Sequence, residues 1–519
     1  MIQTHSAPTG AHRRIDGAAQ PGRRARSFRA AAVLFSSFML APWAVLAADT
    51  PAGQGSVDAA AGAPSAAKLA AVAAVDRHSS ELIKLSDQIW AYAETALREY
   101  RSAAALADYA ERHGFRVERG VAGMPTAFVA SYGEGRPIIG VMGEYDALPG
   151  LSQKAISEKS PLVEGAGGHG CGHNLFGAAS MGAALAIKGQ IKAGALKGTI
   201  RFYGTPAEED IGGKTYMARD GLFDDLDVVL AWHPGDETQA DTVSSQAMVD
   251  VAVEFRGKAA HAAGDPWNGR SAVDALELLT HGINLMREHI RPTSRLHYVI
   301  QSGGDVPNVI PEYAKLWLWM RDFQRTEVES LLARVRKLAE GAALMTETTV
   351  SVKVQAGSWE LLNNMAGARL LNANLEWLGP PDYTADEQAF ARAIQRATGV
   401  PELGMDVAIQ PLENQEMEGG STDVGDVSWV VPTLHVTVAT SPKKAPWHAW
   451  PVVATGGMSI GHKGLVRAAK VLAATMTDLY ERPAALAEVQ AEFKARKGDV
   501  EFEAYLPPGP PPVPTDAAQ

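Results

Sequence analysis

The only cysteine of the chain, Cys171, lies in the run His169-Gly170-Cys171-Gly172-His173-Asn174, with a glycine on each side and an imidazole beyond each glycine. Thiolate and imidazole are donors that zinc and related divalent ions prefer, and a metal-bound thiolate is protected from oxidation. The competing reading is a buried structural cysteine with incidental histidines. Further groups of the same chemical kind lie where short apolar, β-prone runs break off. Residues 138–142 run into Gly143-Glu144-Tyr145-Asp146, residues 199–203 into Thr205-Pro206-Ala207-Glu208-Glu209, and residues 228–231 into Trp232-His233-Pro234. His448 follows much later, in Ala445-Pro446-Trp447-His448-Ala449-Trp450. Cys171, His173, Glu209, His233 and His448 exceed the donors that one tetrahedral zinc takes; they suit two divalent ions that share a ligand and leave room for water. Glu208 adds a base. Adjacent carboxylates in a turn point apart, so one can bind metal while the other takes a proton from water that a metal has acidified to a pKa of ~7. The same acidic pair would also suit the start of a helix.

Such groups need a scaffold that brings strand ends together. Helical runs at 178–193 and 214–220 separate the apolar strands, an α/β order that gathers chemistry at the carboxyl ends of the strands. From residue 249 the order becomes strand 249–255, helix 271–289, strand 296–301, strand 314–321, helix 327–345 and strand 349–354. This is a β-α-β-β-α-β, ferredoxin-like unit inserted into the first domain. The α/β pattern resumes near residue 362 and closes with a strand at 436–438 and a helix at 463–480. The predicted organisation is a catalytic domain in two parts, 76–247 and 357–485, around an inserted domain at 248–356, with a C-terminal extension at 486–519 that ends rich in proline. Trp317 and Trp319 alternate as strand residues do, which favours sheet packing over a binding surface.

The amino-terminal end carries an address. Six arginines from Arg13 to Arg29 precede an apolar run at 30–46 that is broken by Pro42 and is followed by small residues, the pattern of a secretory signal peptide over residues 1–47. A periplasmic or secreted protein without a stable membrane anchor is expected. An Ala/Gly-rich linker at 48–75 and the proline-rich end at 507–519 read as flexible. The chain of 519 residues carries a formal charge of −11, and without the arginine-rich leader the balance is −16, which disfavours nucleic acid as a partner.

Several of these runs, with Gly257-Lys258-Ala259-Ala260-His261-Ala262, Gly420-Ser421-Thr422-Asp423-Val424 and Ser459-Ile460-Gly461-His462-Lys463-Gly464, resemble the M20 metallopeptidase family over residues 78–482. The similarity is greatest to its amidohydrolase branch, which includes the p-aminobenzoyl-glutamate hydrolases. The resemblance implies an α/β catalytic domain with a dinuclear metal site and an inserted ferredoxin-like lid and dimerisation domain. It implies that Cys171 bridges two divalent ions, zinc or manganese, that Glu209 and His448 complete one site and His173 and His233 the other, and that Glu208 is the base. Asp146 matches a supporting aspartate, and Glu144 stands where many relatives place a metal-binding histidine. His261 would reach the site of a partner subunit to stabilise the oxyanion, and Asn308 and Arg321 would contact substrate. The implied activity is exported, metal-dependent hydrolysis of the amide in a small N-acyl or N-aroyl amino acid. The alternatives are a dipeptidase for unusual or β-linked dipeptides and a noncatalytic subunit that needs a paralogous partner. The implied assembly is a homodimer, or a pair with a paralogue. After the last strand of the inserted domain, Val354-Gln355-Ala356-Gly357 lacks the arginine that the glutamate-cleaving carboxypeptidase branch uses.

Overall fold

A computed structural model of the chain describes residues 63–515 except 414 and 416–419. The expected signal peptide and residues 48–62 of the expected linker lie outside the described residues. Two helices open the described chain, α1 (Ala66–Tyr92) and α2 (Tyr100–Arg112), followed by β1 (Arg116–Arg119), β2 (Phe128–Glu134) and β3 (Ile138–Gly143). Then come α3 (His173–Lys192), β4 (Gly198–Gly204), α4 (Gly213–Arg219), β5 (Val228–Gly235) and β6 (Gln239–Ala240). The strands form a seven-stranded sheet in the order β1-β2-β4-β3-β5, continued by β11 (Thr433–Ala439) and β6. Its centre, β4-β3-β5-β11, is parallel, while β1, β2 and β6 run antiparallel at the edges. The composition explains this. β3 and β5 are runs of Ile, Val, Leu and Met buried on both faces, as central parallel strands require, whereas β1 is Arg-Val-Glu-Arg and faces solvent as an edge.

Helix α3 is buried around most of its circumference, against the sheet, α1 and the later helix α11 (Ser459–Glu481). Small residues make that possible: a Cβ on Gly182 would lie 2.5 Å from Leu82 Cδ1 of α1. Helix α3 starts at His173, five residues earlier than the sequence pattern predicts, so His173 belongs to a helix start rather than to a loop. Helix α1 also corrects an expectation. It begins at Ala66, inside the stretch expected to be flexible, with Ser65 Oγ accepting from Lys68 N at 3.0 Å and Ala67, Ala71 and Ala74 buried. An alanine-rich run reads as low complexity, yet alanine is the best helix former and allows close helix packing.

The inserted unit comprises β7 (Ala247–Arg256), α5 (Ala272–Met286), β8 (Arg295–Ser302), β9 (Tyr313–Asp322), α6 (Arg325–Thr346) and β10 (Thr349–Ser358). Its four strands pair antiparallel in the order β10-β7-β9-β8, the arrangement expected of a β-α-β-β-α-β unit. Alternate residues of β7 and β9 pack with Leu276, Leu279 and Val335 of its helices in a separate core. Trp317 and Trp319 lie on the other face of β9, half-buried and in edge contact at 5.9 Å.

The chain then returns to the seven-stranded sheet and its helices with α7 (Met365–Leu378), α8 (Ala385–Thr398), α9 (Val424–Ser428), β11, α10 (Trp450–Gly456) and α11. A last helix, α12 (Pro483–Lys497), lies in the segment expected as an extension and is part of the fold: it buries Val489, and Glu492 accepts from Met365 N and Ala366 N. The proline-rich end is likewise docked as far as it is described. Trp359 Nε1 donates to Glu503 O at 3.0 Å, Arg219 donates to Gly509 O at 2.9 Å, and Pro511 is buried. Proline fixes the backbone in advance, so such a tail loses little entropy on docking. Among the described residues no helix is long and apolar enough to cross a membrane.

Candidate metal centre

Four strand ends and one helix start converge at the carboxyl edge of the parallel strands, the usual place for a site in such sheets. Glu144 and Asp146 follow β3, Glu208 and Glu209 follow β4, His233 lies within the end of β5, and His448 lies beyond β11. Cys171 sits in the turn that leads into α3. Gly172 is required there: its φ is +79°, and a Cβ would meet Pro234 Cβ at 2.9 Å. His448 N donates to Gly170 O at 3.1 Å, which joins the late loop to the cysteine turn. Ala207 (φ 59°) and His448 (φ 50°) both occupy the left-handed region that non-glycine residues avoid, and both are held by hydrogen bonds, Ala207 N donating to Glu99 Oε1 at 2.9 Å.

The donor atoms form two groups that share the thiol. Cys171, His173 and His233 offer ligand atoms within 4.8 Å of one another, as do Cys171, Glu209 and His448. Cys171 Sγ lies 3.4 Å from His233 Nε2, and His448 Nε2 lies 3.5 Å from Glu209 Oε1. The ring orientations are fixed from behind. His233 Nδ1 donates to Pro234 O at 2.7 Å, which leaves Nε2 as the donor atom facing the sulfur. His173 Nδ1 lies 2.9 Å from Asp146 Oδ1, and the other Asp146 oxygen accepts from Glu209 N at 3.0 Å. One aspartate thus orients a candidate ligand of each group. Glu208 offers an oxygen within 4.8 Å of donor atoms of His173 and Glu144, and it adjoins Glu209 in the chain.

These residues fit a pair of divalent ions. Glu209 Oε1 is buried without a hydrogen bond, its nearest imidazole being His448 Nε2 at 3.5 Å, and the buried His173 ring lies between Asp146 and Glu144 at 2.9 Å, a concentration of negative charge beside imidazole and thiol that divalent ions would offset. Burial, followed by Glu209, pushes the Cys171 thiol up, so a bound cation is what would make it a thiolate. Burial and then Glu144 and Glu209 raise Glu208 well above the usual carboxylate range. Burial raises Glu209 to about 7 and lowers His233 to about 4, which keeps the imidazole neutral as a ligand must be.

His169, the other imidazole of the cysteine run, is apart from this set. It is buried with Nε2 at 3.0 Å from Ile89 O of α1 and is lowered to about 4, chiefly by burial.

The sequence reading missed a buried charge network behind the centre. Lys214 is fully buried with Nζ at 2.6 Å from both Glu144 Oε1 and Asp423 Oδ1, while Glu144 Oε2 lies 2.9 Å from His173 Nε2. Burial alone would raise Glu144, but Lys214 and then His173 hold it below the usual range. Asp423 lies in the run Gly420-Ser421-Thr422-Asp423-Val424, which signalled the family without revealing a role. Nothing in the sequence marks Lys214 as buried.

The residues expected on the inserted domain do not join the cluster. His261 and Asn308 are exposed neighbours, linked by Ala262 N donating to Asn308 O at 3.0 Å. His261 Nδ1 accepts from Gly264 N at 2.9 Å, so its Nε2 carries the proton. Arg321 is half-buried over Trp319 and donates to Ser421 Oγ at 2.9 Å, two residues from Asp423.

The profile of peptidase family M20/M25/M40 matches residues 140–451, which span the strand ends just described. The chain is 39% identical over 450 residues to the B subunit of p-aminobenzoyl-glutamate hydrolase from Escherichia coli (strain K12), covering 81% of this chain and 93% of that one. It is 31% identical over 438 residues to the Xaa-Arg dipeptidase of Mus musculus, covering 81% and 91%. Among solved structures, a dinuclear metal-binding peptidase of the M20 family from Bacillus subtilis superposes with a TM-score of 0.56 at 17% identity, covering 78% of this chain and 99% of that one. The chain belongs to the M20/M25/M40 peptidase family, and it is a hydrolase of that family.

Proposed function

We propose that this hydrolase is exported and cleaves the amide between an acyl or aroyl group and an amino acid, at a dinuclear centre held by Cys171, His173, His233, Glu209 and His448. The observation that carries the reading is the pair of three-donor groups sharing one buried thiol, with Glu208 beside them. When bound, two divalent ions, zinc or manganese, polarise the scissile carbonyl and acidify a nearby water. The remaining steps belong to the chain. Asp146 holds His173 and the Glu209 backbone in register, and Glu208 takes the proton of the attacking water and returns it to the leaving nitrogen. His261, with its free Nε2 proton, serves the oxyanion of a partner subunit's site, since within one chain it stands apart from the cluster. That partner is a second copy of this chain or a paralogue, in line with the relative that is named as a subunit.

A second reading, a dipeptidase, draws support from the 31% identity to the Xaa-Arg dipeptidase over most of both chains. Both readings are tested by assaying the purified chain on p-aminobenzoyl-glutamate, a small N-acyl-amino-acid panel and dipeptides, before and after chelation and metal restoration. Restorable cleavage of the aroyl and acyl substrates supports the first reading. Cleavage of dipeptides alone replaces it with the second, and activity only after adding a paralogous subunit assigns an obligate partner.

A further inference from the structure

Away from the strand ends, α1 and the end of α2 bring together a second set of metal-binding groups. His78 and Glu81 lie three residues apart on one face of α1, and His113 caps the carboxyl end of α2. Their donor atoms all lie within 4.8 Å of one another. His78 Nδ1 is 3.4 Å and His113 Nε2 is 3.7 Å from the same oxygen, Glu81 Oε2. These separations are long for a charge-assisted hydrogen bond, which falls near 2.7–2.9 Å. They are close to the edge of a tetrahedron with bonds of 2.0–2.1 Å, about 3.3 Å.

The surroundings preset the donors. His113 Nδ1 lies 2.9 Å from the Tyr109 carbonyl, to which only an N–H can donate, so Nε2 keeps its lone pair toward Glu81. Tyr109 packs on the His113 ring at 4.2 Å between centroids, and its hydroxyl donates to Glu81 Oε2 at 3.0 Å. A carbonyl behind a ligating histidine and a donor behind a ligating carboxylate are what metal sites use to hold their ligands. The three side chains are partly exposed, which leaves the remaining position to water.

We propose that His78, Glu81 and His113 form a peripheral site for a zinc-class divalent ion, separate from the hydrolytic centre, that fastens the end of α2 to α1. Two imidazoles and one carboxylate suit zinc more than manganese. The site does not depend on the functional reading above, because its donors share no residue with the strand-end cluster.

The test compares the full mature chain with its His78→Gln/His113→Gln variant, both stripped by chelation and reloaded with zinc. The wild type is expected to hold one more zinc per chain than the variant, with anomalous scattering at the zinc edge among the three side chains. Tyr109→Phe is expected to weaken that extra zinc by about 10–100-fold without removing it. Hydrolytic activity of the double variant should stay within about twofold of wild type, since substitutions far apart act independently. Equal zinc uptake by wild type and a double variant that melts normally in chelator would overturn the proposal. Anomalous density lying elsewhere would do the same. If the double variant does not fold, Tyr109→Phe decides: an unchanged zinc titration refutes the site.

Discussion

The two halves of the molecule treat their polar residues in opposite ways. At the carboxyl edge of the seven-stranded sheet, candidate ligands and acidic side chains crowd together, with Glu144, Glu208 and Glu209 raising one another's cost of ionisation and Glu209 Oε1 buried without a hydrogen bond. On the inserted domain, His261 and Asn308 are exposed and tied mainly to backbone, and Arg321 bridges to Ser421. Burying several carboxylates together is unfavourable, an arrangement that functional sites retain. The second arrangement is stable alone. The difference teaches that the candidate ligand set is complete within one chain, whereas the groups expected to meet the substrate stand on a separate platform.

That contrast can be broken by substitution, first at the base. Glu208→Gln is expected to lower kcat by up to about 10⁴-fold while metal content stays unchanged. Equal loss of metal would instead move Glu208 among the ligands, which elemental analysis beside kinetics would reveal. The next effect is on stability. Lys214→Met leaves Glu144 and Asp423 buried without their cation and should cost about 3–5 kcal/mol in chemical denaturation; a loss under about 1 kcal/mol would remove Lys214 from the network that supports His173.

On the other platform, His261→Ala should lower kcat by about 10²–10³-fold with the melting temperature and metal content of the wild type. Mixing it with Glu208→Gln under conditions that exchange subunits should restore activity, because one mixed site would then carry both intact groups. No restoration, with exchange verified, would place His261 in its own chain's site or outside catalysis.

The smallest effect concerns pH. Burial, followed by Asp146, raises Glu99 from its ordinary value of 4.5 to about 8. Its folded form therefore holds a proton that the unfolded form releases, so its contribution to stability is complete below about pH 4.5 and is lost as pH rises through about 8. Glu99→Gln, which mimics the protonated side chain, should flatten the fall in melting temperature between pH 5 and 8. An equally steep fall in the variant would contradict that assignment. A comparable substitution on the inserted domain, such as Asn308→Ala, should leave the pH profile alone.

Much of this was legible in the sequence, for reasons particular to each region. The central strands end abruptly in Glu, Asp and His, and a parallel sheet that gathers such ends made their convergence readable. The inserted domain was legible because β9 alternates cleanly between buried and half-buried residues. The opening helix was not, since buried alanines and a flexible alanine-rich tail look alike as letters. Spacing also gives no way to tell His169 from His173. The start of α3 separates them, turning one to α1 and the other to the centre. Lys214 was invisible because lysine is rarely buried, and its partners Glu144 and Asp423 lie far away in sequence.

The central claim is that two ions share the thiol of Cys171. The direct measurement is the manganese content of the reloaded chain by elemental analysis, in wild type, His448→Ala and Cys171→Ala, with manganese chosen because it binds peripheral histidine sites weakly. The expected result is about two ions in wild type, about one in His448→Ala, and fewer than one in a folded Cys171→Ala, because the shared ligand serves both positions. Two ions retained in Cys171→Ala would contradict it.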